Sequence, residues 1–112
     1  MNEEIRRLTR KWYELVNYDH HKDRDCHFYI NEVWSYGAAP IWRAEHYGYV
    51  GQEFSVDCAT YEEAQKELVS RLKDMFKEEV RWANGVLATK ENWDKDQIEH
   101  AEKIIKLALP LP

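Results

Sequence analysis

The chain has 112 residues, 44% hydrophobic and 33% charged, which fits one core, leaves no room for a separate catalytic domain and excludes disorder. Its 16 basic and 21 acidic residues leave a net charge of −5, without the positive excess that a phosphate backbone attracts, and no run approaches the roughly 18 apolar residues of a membrane span. The 5 Trp, 7 Tyr and 3 Phe exceed what so small a core needs, so some rings are expected on a surface that is dry when bound and wet when free.

Met1 leads into the polar Asn2-Glu3-Glu4 with no apolar leader, and the two cysteines, Cys26 and Cys58, make no disulfide framework, so a cytoplasmic, reducing location is expected. Residues 3 to 16 carry Ile5, Leu8, Trp12, Leu15 and Val16 on one stripe of a 3.6-residue helix, with Glu3 and Glu4 at the end that suits the helix dipole. A polar, aperiodic segment from Asn17 to Asp25 follows. Phe28 to Tyr36 then turns β-branched and aromatic, the pattern of a first strand. Gly37-Ala38-Ala39-Pro40 reads as a turn, Ile41 to Val50 as a second strand, Gly51-Gln52 as a hairpin connection and Glu53 to Ala59 as a third strand.

Thr60 followed by Glu63 has the spacing of a capping box. It opens a helix in which Ala64, Leu68, Leu72, Phe76 and Val80 recur at steps of four. Asn84-Gly85 is expected to end that helix, with Gly85 in the left-handed conformation. A third helix is expected from Asn92 or Trp93, carrying Ile98, Ala101, Ile104, Ile105 and Ala108, and stopping before Pro110. The expected fold is α+β, a single domain holding a three-stranded antiparallel meander in the order α-β-β-β-α-α. The main helix lies on one sheet face, the core spans about 3–83, and the helix at about 92–108 is an appendage.

Four constellations bear on chemistry. The segment Asp19 to Cys26-His27 is dense in potential metal ligands, of which His20, His21, Cys26 and His27 are the best. It lacks a spaced ligand pair such as CxxC or HxxxH, and a distant His46 or Cys58 would have to close the geometry, so no metal or other cofactor is expected. Cys58 would need His46 beside it to act as a nucleophile, yet it shares a strand face with Phe54 and Val56, as a core residue does. The carboxylates Glu32, Glu45, Glu53 and Asp57 offer no pair set apart from the rest. No phosphate loop or nucleophile-elbow motif is present, so no enzymatic activity is expected.

The second strand is more informative. Its faces are Trp42, Ala44, His46, Gly48 and Val50 against Ile41, Arg43, Glu45, Tyr47 and Tyr49, and Ala44 and Gly48 favour the first for close approach of a helix. The opposite face then presents Tyr29, Asn31, Arg43, Glu45, Tyr47 and Tyr49, a mixture suited to recognition.

Helix, three-stranded meander and helix over residues 3 to about 83 is similar to the topology of double-stranded RNA-binding domains. That family starts its second helix with a lysine cluster, whereas this chain has Thr60-Tyr61-Glu62-Glu63-Ala64 there, so RNA binding does not carry over. The junction from strand to Thr60-Tyr61-Glu62-Glu63-Ala64 also resembles that of HicB-type antitoxin domains. The function expected from the residues is that of a non-catalytic protein-interaction domain that binds another protein or a second copy of itself through the Tyr-rich face, without nucleic acid or membrane. Two alternatives stand beside it. One is a small acidic, phage-type inhibitor or regulator of a nucleic-acid enzyme, acting through Glu62, Glu63, Glu67, Asp74 and Glu78. The other is a metal-binding domain using the 19–27 loop.

Overall fold

The computed structural model describes residues 3–16, 26–48 and 54–109. Helix α1 (Glu3–Val16) buries Ile5, Leu8, Trp12 and Leu15 completely, the stripe that the three-and-four spacing predicts. Strands β1 (Cys26–Val33), β2 (Ile41–Gly48) and β3 (Phe54–Cys58) form an antiparallel sheet in the order β1-β2-β3. The long helix α2 (Tyr61–Ala88) and helix α3 (Lys95–Ala108) follow, joined through a 3₁₀ turn at Lys90–Asn92. The element order and α+β class are those read from the sequence.

Register determines which side chains meet. Phe28, His46 and Phe54 form one cross-strand row, and Ile30, Ala44 and Val56 the next. Both rows face α2. Ala44 and His46 are completely buried, so the small side chain of Ala44 lets the helix approach the central strand. Trp12 ties the layers together, its ring meeting Phe76 of α2 edge-on at 5.5 Å and His46 of β2 at 6.4 Å. Phe28 stacks on His46 at 4.3 Å.

Several boundaries differ from the sequence reading; β1 starts two residues early, at Cys26, and β3 ends at Cys58. β1 ends at Val33, so Trp34 to Tyr36 belong to the hairpin loop and not to the strand. The loop turns at Gly37, whose φ of +76° falls where glycine is favoured. α2 does not stop at Asn84-Gly85 but continues to Ala88 and is capped by Thr89. Ala83 and Val86 extend its buried stripe against α3, and this packing outweighs the roughly 1 kcal/mol that a mid-helix glycine costs. α3 begins at Lys95 behind a complete capping box, in which Gln97 N donates to Asp94 Oδ1 at 2.8 Å and Asp94 N donates to Gln97 Oε1 at 3.3 Å.

The start of α2 follows its motif with one shift. Glu63 N donates to Thr60 Oγ1 at 3.1 Å, while in the return bond it is Ala59 N, not the Thr60 amide, that donates to Glu63 Oε2, at 3.3 Å. At 28 residues, α2 is about 42 Å long and overreaches the sheet. Its C-terminal part pairs with α3, which lays Ala101, Ile104 and Ala108 into the same core as α1 and the sheet. Trp82, Trp93 and His100 pack together there, and the Trp93 indole N–H donates to Thr89 Oγ1 at 3.1 Å.

Candidate functional site: the open sheet face

Side chains alternate along a strand, so a helix covering Ala44 and His46 leaves the intervening positions on the far side of the sheet. Tyr29, Glu45 and Ser55 form one row there, Asn31, Arg43 and Asp57 a second, and Val33 with Ile41 a third next to the hairpin loop. α3 packs against α2 and α1, so its place is among the helices and away from this face.

The middle of the face is a cross-strand polar ladder. Arg43 Nε donates to Asp57 Oδ1 at 2.7 Å and its Nη2 to Oδ2 at 3.3 Å, a two-point pairing that fixes the guanidinium plane. Asn31 Nδ2 donates to Glu45 Oε2 at 3.3 Å and Ser55 Oγ to Glu45 Oε1 at 3.4 Å, so one carboxylate links all three strands. The Arg43 hydrogen bond holds the Asp57 carboxyl below its ordinary range, assisted by the guanidinium charge and opposed by desolvation. Two carboxylates against one guanidinium make the ladder faintly acidic, which disfavours a phosphate backbone as its ligand.

Exposed rings lie beside this ladder and beyond the hairpin end of the sheet. Tyr29 is 41% exposed. At the opposite end the loop after Val33 exposes Trp34 at 70% and Tyr36 at 108%. A strand drawn through Tyr36 puts both rings into alternation with Phe28 and Ile30, so the sequence pattern alone does not mark them as exposed loop residues. A signal was present nevertheless: residues 33–42 form the longest uncharged run in the chain, centred on Gly37.

Of the six residues nominated from sequence, Tyr29, Asn31, Arg43 and Glu45 lie together on this face. Tyr47 holds the matching register position opposite His27, but its side chain and the whole of Tyr49 lie outside the described residues. The metal candidates His20 and His21, and the side chains of Cys26 and His27, lie outside them too.

Two other constellations can be placed. Cys58 pairs with Trp42 and His46 with Phe54. Four strand residues, about 13 Å, therefore separate Cys58 from His46 along the sheet, and the two form no nucleophile–base dyad. Burial pushes the Cys58 thiol above its ordinary range, and the carboxylates of Glu67, Glu63 and Asp57 push it further, the reverse of what a reactive thiolate requires. On α2, Arg71 pairs with Glu67 at 2.9 Å and Arg81 with Glu78 at 2.9 Å, so the acidic side proposed from sequence is interrupted by its own counter-charges. No protein-family model, curated protein or solved structure matches the chain.

Proposed function

We propose that the chain is a non-catalytic protein-interaction domain whose partner, another protein, docks on the open sheet face and the adjoining hairpin loop. One observation carries this reading: the helices gather on a single side of the sheet, while the other side presents the exposed ring of Tyr29 beside a satisfied polar ladder, next to a hairpin loop that exposes Trp34 and Tyr36. Rings supply large apolar area at low conformational cost, and a pre-paired ladder orients a partner without a fresh charge to desolvate. The neutral-to-acidic character of the face supports protein over nucleic acid.

The test is site-specific photocrosslinking in the native cell, with benzoylphenylalanine at position 29 or 34 and, as control, at position 102 on the exposed side of α3. A discrete protein adduct from 29 and 34, absent from 102 and persisting at high salt, is the expected result. No adduct from either face position, or equal adducts from the control, overturns the proposal. Collapse of the adduct at high salt would indicate an electrostatic contact instead.

A further inference from the structure

The open face is not the sheet's only unfinished surface. β1 is an edge strand, and it pairs residue for residue with β2 from Cys26 opposite Gly48 to Val33 opposite Ile41. No bulge interrupts it. Its eight residues contain no proline and one charge, Glu32, so it lacks the usual devices that prevent edge-to-edge pairing. The other edge, β3, has five residues and carries Asp57. Every second residue of β1 turns its N–H and C=O away from β2. Among the described residues β1 packs on β2 and α2, and neither lies along that outer edge.

We propose that β1 pairs antiparallel with β1 of a second copy about a two-fold axis at Tyr29, joining two three-stranded sheets into one. The residue pattern favours a second copy because it is self-complementary at this register. A two-fold axis there sets Tyr29 against Tyr29 of the second copy on the open face, and His27 against Asn31. On the helix side it sets Phe28, 9% exposed, against Ile30, half-buried, which continues the apolar layer across the junction. Glu32 meets Cys26, so no like charges oppose each other. Moving the axis one residue to Ile30 would place Phe28 opposite Glu32, which disfavours that register. The joined sheet would have six strands, within the ordinary range, and would bring two open faces side by side. This dimer shares Tyr29 with the docking face but is formed by the strand's edge, and its mass is read on the purified chain alone, so its failure leaves the docking reading untouched.

The full chain is tested by light scattering across micromolar to millimolar concentration. The expected result is twice the 13.5 kDa chain mass. Tyr29→Lys, a change at an exposed position, is expected to give a folded monomer, and mixing it with Tyr29→Glu is expected to restore a dimer through opposite charges across the axis. Register is tested in a Cys26→Ser, Cys58→Ser background: Tyr29→Cys is expected to oxidise to a covalent dimer, because position 29 faces itself, and Asn31→Cys is not. A wild-type chain that stays monomeric throughout overturns the proposal, as do a Tyr29→Lys dimer and preferential crosslinking at position 31.

Discussion

Trp12 is completely buried and touches both α2 and the sheet, yet among the described residues its indole Nε1 has no hydrogen-bond acceptor. Two substitutions separate these contributions. Trp12→Ala removes the ring and is expected to cost about 3–5 kcal/mol, a large share of the roughly 5–15 kcal/mol that holds a domain folded. Trp12→Phe leaves empty roughly 40 Å³ of the space the indole filled, worth about 1 kcal/mol of cavity, and loses about 1 kcal/mol of transfer free energy at about 25 cal/mol per Å². It also removes a donor whose lost hydration, about 1–3 kcal/mol, was never recovered. The terms nearly cancel, so Trp12→Phe is expected within about 1 kcal/mol of wild type. The control is Trp93→Phe, which gives up a made hydrogen bond to Thr89 and is expected to be the more costly of the two Phe variants. Guanidinium unfolding followed by far-UV circular dichroism measures all three without relying on tryptophan emission. A Trp12→Phe variant as unstable as Trp12→Ala, or less stable than Trp93→Phe, would refute the reasoning.

Gly85 lies inside α2 with nothing within 4 Å of an added Cβ, so Gly85→Ala should stabilise the protein by about 1 kcal/mol, whereas Gly37→Ala, at φ +76°, should destabilise it by about 1–2 kcal/mol; calorimetric midpoints moving in the same direction would show one of these backbones to be misplaced. The raised thiol of Cys58 predicts slow alkylation by iodoacetamide at neutral pH in a Cys26→Ser background, and a rate equal to that of a free cysteine would contradict it. For Asp57 the folded pKa is depressed, so its stabilising contribution is present above the ordinary carboxylate range near about 3.9 and fades as pH falls through the folded value. Carboxyl NMR titration should find a low midpoint that returns to the ordinary range in Arg43→Ala, and a midpoint indifferent to that substitution would contradict the pairing.

Much of this fold is written locally. The spacing of Ile5, Leu8, Trp12 and Leu15 selects a helical face without reference to the rest of the chain, and Ala64 through Val80 does the same for most of α2. The end of α2 is different. Asn84-Gly85 is a sound stop signal for an isolated helix, but Val86, only 1% exposed, and Ala83, fully buried, are held by packing with α3. That partner arrives after the turn at Lys90–Asn92, so no local pattern near Gly85 could announce it. The box at Asp94 and Gln97 marks the start of α3 within four residues, and it was legible in principle.

The candidate site divides along the same line. Alternation places Tyr29, Asn31, Arg43 and Glu45 on one face once Ala44 is put under the helix, and the complete burial of Ala44 agrees with that step. The chemistry between those side chains depends instead on register. Arg43 reaches Asp57 because β2 and β3 pair those two residues directly, and a slip of one residue would send Asp57 to the helix side. Sequence alone therefore presents Arg43 as a charge open to a partner, whereas the folded sheet has already engaged it. Arg43 thus presents a guanidinium whose plane is set and whose charge is largely answered, and the proposed docking role rests more on the exposed rings than on this charge. Tyr29 stands in the row of Glu45 and Ser55, and Trp34 and Tyr36 lie past the end of β1 in the loop that turns at Gly37.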